Sequence, residues 1–591
     1  MRWQTKPCDH SAADALSSAA GLPSALSKLL LQRGIDTAER AETFLNPSLA
    51  QLHDPFLMLG MSAAVERLER AIATKERTLI YGDYDVDGTT AIVILKTCIE
   101  LLGGAAEFHV PHRIREGYGM RDDVLERAKE AGLSLVISVD TGIRAFQEAE
   151  TAKRLGLDLI VTDHHLPEEG EGVPAALAVL NPNQHGCGYP CKELCGAGVA
   201  FKIAQALLTR AGQERLIPSF LKMVAIATIA DSVALVGENR VIAKLGLDGL
   251  RRPVNGGLKA LMQVAKLEGL GRGISATDIA FRVAPRINAA GRMDIAADVV
   301  ELFTSRDEPR QRELAAKLNL LNTDRQAEEA RILAQIHQRL DTEEALQKSF
   351  CVVIAGDGWH RGVIGIAATR VVERTGKPAL VIAIDENGQA HGSGRSISAF
   401  HLLDALESER CHGLFTRFGG HAHAVGFSMP AERVSELCAA MDNYARAHLT
   451  EADFVPILQV DAEVELGELT PKFLSQLQRM EPFGMSNREP VFVVRGARVM
   501  QPPRVLKEKH IKLRVGSGAT NGSPLGISKP LDVLAWRMAE RFQASPLVAG
   551  DYLDIAFTLE ENTHPDFGGL QLVLKDFVAV PQQVATATAE A

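Results

Sequence analysis

The heptapeptide Gly82-Asp83-Tyr84-Asp85-Val86-Asp87-Gly88 places three aspartates within reach of one another. Further along, Asp140 stands in Val139-Asp140-Thr141-Gly142, Asp163 heads Asp163-His164-His165, and Asp231 ends the apolar run that starts at Met223. Carboxylates are hard oxygen ligands for divalent cations, and one or two imidazoles shift the preference from Mg2+ toward Mn2+. Two ions bridged by a carboxylate at ~3.5–4 Å lower the pKa of a shared water and clamp a phosphoryl group, which is the chemistry of phosphodiester hydrolysis. Taken alone, the DYDVDG stretch reads as well as an acidic turn. A calcium loop begun at Asp83 would need a glutamate at its twelfth position, where Ile94 stands. The four features together favour a metal cluster.

Such a cluster needs elements that bring distant residues to one place. Between Arg77 and Leu235, short apolar runs alternate with helical stretches: Thr78–Tyr81, Ala106–Val110, Leu135–Val139, Leu159–Thr162 and Ala178–Leu180. That alternation predicts an α/β unit with a parallel, doubly wound sheet. Ligands of open parallel sheets bind beyond the carboxyl ends of the strands, and three of the four acidic features fall there. Residues 307–347 hold no glycine and carry Leu314, Leu318, Leu321, Ile332 and Ile336 at helical spacing, predicting one or two long amphipathic connecting helices. A second α/β unit follows, with strands Phe350–Ala355 and Ala379–Ile384 around a Val363–Thr375 helix. From Val455 the pattern turns β-rich, with runs at Ile457–Val464, Pro490–Met500, His510–Val515, Tyr552–Leu559 and Leu570–Phe577. One helix near 470–479 makes this a small barrel of the OB type. The expected organisation is an N-terminal helical segment over 1–75, a catalytic α/β domain over 76–270 and a helical connector over 271–348. A second α/β domain over 349–450, the barrel over 455–578 and a disordered tail over 579–591 complete it.

Composition narrows the class. With 591 residues, 46% hydrophobic and 23% charged, the chain has the make-up of a globular protein of several cores. No apolar run approaches the ~20 residues that span a bilayer, and the N-terminal MRWQTKPCDH lacks a secretory h-region, so a cytoplasmic location is expected. The formal net charge of −10 does not exclude a nucleic-acid partner, since binding follows local patches and metal-holding carboxylates are neutralised in use. Eight scattered cysteines do not form a disulfide framework. Cys187, Cys191 and Cys195, with His185 nearby, are spaced too widely for a typical structural zinc site, and whether they bind metal stays open.

GDYDVDG, SVDTG, DHH and the apolar run ending at Asp231 resemble the four motifs of the DHH phosphoesterase superfamily. Gly419–Phe427 (GGHAHAVGF) and Ser393–Ser396 (SGRS) resemble its companion, the DHH-associated domain. Pro111–Gly119, Ala284–Met293 and Gly358–Arg370, together with a terminal OB-like barrel, are similar to the bacterial single-strand-specific 5′→3′ exonuclease branch, over about 45–577. The resemblance implies Asp85, Asp87, Asp140, His164 and Asp231 as ligands of two Mn2+ or Mg2+ ions, with Asp140 bridging. It makes Asp83 and Asp163 orienting groups, Asp83 a further possible ligand, and His165 a group beside the scissile phosphate. Tyr81 stands where many superfamily members have a histidine ligand, which leaves one ion's coordination to Asp83 or water.

The same resemblance puts Arg113, Ser393 and Arg395 in a 5′-phosphate pocket, where forked guanidinium contacts select phosphate and the small Ser393-Gly394 pair admits an anion to the backbone. His421, beside Gly419 and Gly420, is expected at the cleft between the two α/β domains, with His360 and Arg370 supporting it. Tyr118 reads either as a base-stacking ring or as a tyrosine with a bonded hydroxyl. Arg282, Arg286 and Arg292 around Asn288 suit a DNA backbone. In the barrel Arg504, Lys507, Lys509, Lys512 and Arg514 form either a DNA-binding patch or a solvated hairpin. The implied activity is hydrolysis of single-stranded DNA from a 5′ end to 5′-mononucleotides by a monomer serving recombination and repair. Its implied partners are a single-stranded-DNA-binding protein and a helicase. A DHH phosphoesterase of oligoribonucleotides or nucleotides is the competing enzyme. A non-catalytic replication scaffold is the competing class, and the intact aspartates and histidines speak against it.

Overall fold

The structure is a computed structural model and describes residues 1–113, 115–168, 170–270, 272–293, 296–517, 530–562 and 568–580. Five parallel strands form the first sheet, in the spatial order Ala105–His109, Arg77–Tyr81, Leu135–Val139, Asp158–Thr162 and Ala178–Leu180. Leu135–Val139 is buried along its whole length, as a strand covered on both faces must be. Helices Val86–Leu101, Gly196–Arg210 and Ile217–Ala230 pack over one face in the largest core. A second core holding Tyr81, Val136 and Val161 lies on the other face. All five strands match apolar runs of the sequence to within one residue at each end.

Within the expected 271–348 connector, the helices Ala284–Met293 and Ala297–Thr304 pack into the core of the first α/β unit, and the link to the next unit is one 35-residue helix, Glu308–Thr342, followed by the short helix Glu344–Lys348. At 1.5 Å per residue the long helix runs about 52 Å. Its first half buries Leu314, Ala315 and Leu318 in the core of the first α/β unit, and its second half buries Ile332, Ile336 and Leu340 against the next one. That next unit is a five-stranded mixed sheet in the order Arg417–His421, Ala424–Pro430, Gln389–Arg395, Ala379–Ile384 and Val352–Asp357. Only the last two strands pair parallel.

Strands Phe492–Leu506, His510–Gly516, Leu531–Ala535, Gly569–Val580 and Tyr552–Asn562 close on themselves, the last pairing back with the first, and make a five-stranded barrel. The sequence pattern missed Leu531–Ala535, whose polar Asp532 interrupts the apolar run. Glu463 ends the Ile457–Val464 run early, and its first half lies outside the barrel, parallel to Arg2–Thr5. The N-terminal segment is thus divided: helices His10–Ala20, Ser24–Gln32 and Ala38–Leu45 enter the barrel core, while Met61–Thr74 enters the first α/β core. Arg240 ties these parts together. Its buried guanidinium donates to the carbonyls of Phe44, Arg479, Met480 and Glu481 and lies 3.8 Å over the Phe44 ring. The last strand runs to Val580, and residues 581–591 of the expected tail lie outside the described ones.

Candidate active site

The metal-type residues converge where the strands of the first sheet end. Asp85 caps the helix Val86–Leu101, its Oδ1 accepting from the amides of Asp87 (2.9 Å) and Gly88 (3.0 Å). Asp87, the second residue of that helix, accepts from Gly196 (2.6 Å) and Ala197 (2.7 Å), the first amides of the helix Gly196–Arg210. Two helix N-termini therefore hold the first motif, and their partial positive ends favour carboxylates there. Asp140 follows its strand in a left-handed conformation, φ 59°, which aspartate tolerates better than most side chains. Asp163 accepts from the His164 and His165 amides and from His165 Nδ1 (2.7 Å) at Oδ1 and from the Ile143 amide at Oδ2, so both its oxygens are engaged inside the protein. Asn183 and Asn181 donate to the carbonyls of His164 and His165 and fix the turn that carries both rings.

Three groups of side chains have ligand atoms within 4.8 Å of one another: Asp83 with Asp85 and Asp140, Asp87 with His164 and Asp231, and Asp140 with His164 and His165. His164 Nε2 lies 3.2 Å from Asp140, 3.7 Å from Asp87 and 3.8 Å from Asp231. All five expected ligands and Asp83 thus meet, with Asp140 common to two groups. Tyr81 points away: its hydroxyl donates to the Gly119 carbonyl from within the opposite core, and Asp83 takes the place beside Asp85 instead.

Buried acids without cations repel one another. Burial, and then the charge of Asp85, pushes Asp83 up to about 8. Burial, then Asp87 and Asp85, pushes Asp231 up to about 8, and Asp85 and Asp140 are raised by the same two causes. Asp83 Oδ1 and Asp140 Oδ1 are buried without a hydrogen-bond partner, a state that a divalent cation relieves. Burial lowers His164, which keeps its imidazole in the neutral form a metal needs. His165 goes the other way. Burial opposes its charge, but the hydrogen bond to Asp163 and that carboxylate's charge outweigh burial and raise it to about 9.

Sequence reasoning missed Gly196. A Cβ there would lie 2.6 Å from Asp140 Cβ, so only glycine lets the Asp87-holding helix approach the strand end. Its signal was the small-residue run Gly196-Ala197-Gly198 after Cys195. Gly196→Ala is expected to lower turnover about 10²-fold, as displacements near 1 Å do in a reacting site, with a matching loss of Mn2+ affinity by calorimetry. Unchanged Mn2+ binding would show that Asp140 is not held by this contact.

A second cluster lies beside the first. Arg113, Arg292, Ser393 and Arg395 line a cavity of ≈ 230 Å³ between the two α/β units. Arg113 stacks 4.9 Å over the ring of Tyr84, the residue between Asp83 and Asp85. Burial and then repulsion from Arg113 and its neighbours lowers Arg292 to about 10, and the same two causes lower Arg395. Gly394 has another role than expected: its missing side chain makes room for Leu380 and Val425 in the core, away from the cavity. His421 and Gly420 lie on the exposed edge strand, and Gly420 passes so close to Ala424 O that a Cβ would meet it at 2.2 Å.

The remaining expected contacts divide. Tyr118 is half exposed, with its hydroxyl 3.3 Å from His165 Nδ1 and its ring and that imidazole in an edge-to-face contact, so it braces His165 while half of its surface stays exposed. Asn288 accepts from the Val86 amide, and Arg292 donates to Gly362 O. Arg282 and Arg286 are engaged by Asp278 and Asn319, bracing neighbouring helices. His360 accepts from the Gly362 amide and shapes the turn before the helix Ile364–Thr375, while Arg370 is held by Glu329 and Glu373. In the barrel Lys512 and Arg514 face Asp532 at 2.9 and 3.0 Å along a groove of ≈ 480 Å³ that also holds Arg504, with Lys507 and Lys509 at the adjoining hairpin tip. Among the described residues no cysteine joins a group able to hold a metal; Cys191 and Cys195 are buried free thiols and Cys187 is half-buried.

An acid–histidine cluster at the ends of a parallel sheet, faced by an arginine-lined second domain, defines a DHH-type metal-dependent phosphoesterase, and the family models agree. The DHH family N-terminal domain matches residues 77–228, the DHHA1 domain 347–447 and the RecJ OB domain 460–576. The chain belongs to the RecJ family. It is 39% identical to the single-stranded-DNA-specific exonuclease RecJ of Bacillus subtilis over 90% of this chain and 66% of that protein, and 35% identical to that of Dickeya dadantii over 87% and 90%. The crystal structure of RecJ with Mn2+ from Thermus thermophilus superposes with a TM-score of 0.81 at 27% identity, covering 98% of this chain and 80% of that one. A second structure of that protein was solved with Mg2+. The donor set here, carboxylates with one neutral imidazole, fits the same two cations.

Proposed function

We propose that this chain hydrolyses single-stranded DNA from a 5′-phosphorylated end, releasing 5′-mononucleotides. The observation that carries the reading is the adjacency of the acid–histidine cluster to the arginine-lined cavity, joined through Tyr84. A terminal phosphate held by Arg113, Ser393 and Arg395 leaves the next phosphodiester to reach the cluster. Asp85, Asp87, Asp140, His164 and Asp231 would hold two Mn2+ or Mg2+ ions, with Asp83 completing the set. Bound there, the ions supply polarisation of the phosphoryl group and activation of water. Asp163 holds His165 charged and oriented, so that His165 can donate to a phosphoryl oxygen as negative charge develops there. Tyr118 keeps that ring in place and offers its exposed surface to a base. Asn288 and Arg292 would guide the strand past the helix 284–293, and His421 would meet the phosphate from the opposite wall. His360 shapes that wall, whereas Arg282, Arg286 and Arg370 act through helix packing.

The competing substrate, a short oligoribonucleotide, is separated by one assay. With Mn2+, a 3′-labelled single-stranded DNA carrying a 5′-phosphate should be shortened from its 5′ end faster than the 5′-hydroxyl strand, the duplex or a short RNA. Preference for the short RNA would replace this reading.

The barrel would hold the downstream strand. Neutralising Arg504, Lys507, Lys509, Lys512 and Arg514 together is expected to weaken DNA binding and to flatten its dependence on salt by about 0.7 in log–log slope per lost phosphate contact. Two of these cations already face Asp532, so the slope should fall by less than five contacts' worth. An unchanged slope would remove the barrel face from the DNA path. A single-stranded-DNA-binding protein and a helicase supplying unwound strands are the fitting partners of a monomer that trims such ends in recombination and repair. A cytoplasmic location would fit that work. Among the described residues no helix is long and apolar enough to cross a membrane.

A further inference from the structure

The arginine-lined cavity is longer than one phosphate needs. Arg113, Arg292 and Arg395 gather at its inner end, nearest the metal-type cluster, with Ser393 between strand and cation. The cavity then continues outward along the same face of the strand Gln389–Arg395 to His391, two residues from Ser393 and so about 6.6 Å further on. There His391 Nδ1 lies 3.0 Å from Ser428 Oγ on the neighbouring strand, and Arg361 is exposed at the rim. Gly426 pairs with Ser393 and has no side chain to close the floor between the two ends. The N-terminus of the 12-residue helix Ile364–Thr375 looks onto the same space through Gly362, Ile364 and Gly365. At the outer end Asp385 lies 3.5 Å from His391 Nε2, and its charge acts on Arg361 as well.

Charge points the same way. A 5′-monophosphate brings about two negative charges to three clustered guanidiniums and a helix N-terminus, which leaves the inner end positive. A 5′-diphosphate brings about three. Its α-phosphoryl would fit between Ser393, Arg395 and Arg113, and its β-phosphoryl would reach toward Arg361 and Ser428, whose hydroxyl is free to donate when His391 donates its Nδ1–H to Ser428 Oγ.

Resting on the 5′-phosphate reading above, we propose that the cavity accepts a diphosphorylated 5′ end, so that the enzyme also takes strands ending in a 5′-diphosphate. In the first turnover water adds to the phosphorus of the first internucleotide linkage, the P–O3′ bond breaks, and the departing O3′ takes up a proton. The nucleotide released is a nucleoside 5′-diphosphate, and the shortened strand carries an ordinary 5′-monophosphate. The β-phosphoryl group is bound and not cleaved.

The test uses the full chain and one 3′-labelled oligodeoxynucleotide made with a 5′-hydroxyl, 5′-monophosphate or 5′-diphosphate. Binding is measured in EDTA, and first-turnover products are measured with Mn2+. The diphosphate strand should bind about tenfold tighter than the monophosphate strand, the scale of one added charge-assisted contact. Arg361→Gln and His391→Ala should each narrow that ratio toward one, while Arg113→Ala weakens both phosphorylated strands. The first product should be the nucleoside 5′-diphosphate. A wild-type ratio of one or less, a ratio unmoved by both outer-end variants, or release of inorganic phosphate overturns the proposal. Equal binding of all three ends would instead sink the 5′-phosphate pocket itself, and the hydroxyl arm makes that failure separately visible.

Discussion

Replacing Asp85 and Asp140 together by asparagine is expected to lower the rate of single-strand degradation by about 10⁴-fold or more, since removing a single charge-stabilising group from a preorganised site already costs about 10²–10³. Asparagine is the informative choice. At position 85 it keeps an acceptor for the amides of Asp87 and Gly88, where alanine would give up about 1 kcal/mol of helix capping. At position 140 it tolerates the φ of 59° that alanine does not. What the pair loses is charge. Because burial and mutual repulsion raise both acids, the metal-free double variant should melt no lower than the wild type, even as Mn2+ binding disappears. Retained degradation of 5′-phosphorylated strands would take these residues out of the active site. A lowered melting point would mean that they serve the fold.

That separation also explains what the sequence made legible. The strands before Asp83, Asp140 and Asp163 read as apolar runs because both faces of a parallel sheet are covered, and position after a strand end is the one property that DYDVDG, VDTG and DHH share. Asp231 is different. It follows a helix, and nothing local says that its carboxylate turns toward His164. The Asp87 contact was also out of reach. It depends on two amides of residues 196 and 197, and backbone donors leave no mark in residue type except the glycine that admits them. Charge misled where partners were distant in sequence, since Arg286 reads as a DNA contact until Asn319 is placed beside it. Gly394 misled for a related reason: a glycine in a strand marks close approach but not which face is approached. The division of the N-terminal segment between two cores rests on long-range pairing, Arg2–Thr5 with Ile457–Val460, which short-range periodicity cannot register.

The same buried acids predict a strong coupling between pH, metal and stability. Asp83 and Asp231 sit near 8 in the folded, metal-free chain, against an ordinary value of 3.8, so between about pH 4 and 8 the folded state binds more protons than the unfolded one. Stability from this cluster is therefore fully present below 3.8 and is lost as pH rises through 8. The neighbouring pair acts differently: Asp163 is lowered and His165 raised to about 9, so their mutual stabilisation persists between the two and fades outside that window. A divalent cation displaces the protons from Asp83 and Asp231, with release of on the order of one to two protons per protein near pH 7. Melting in EDTA should then fall from pH 6 to pH 8 more steeply than melting in Mn2+, and the rise in Tm on adding Mn2+ should be larger at pH 8. Titration calorimetry in buffers of different ionisation enthalpy counts the protons directly. Mn2+ affinity that does not change between pH 6 and 8, with no proton released, would mean that the ions bind elsewhere than among these aspartates.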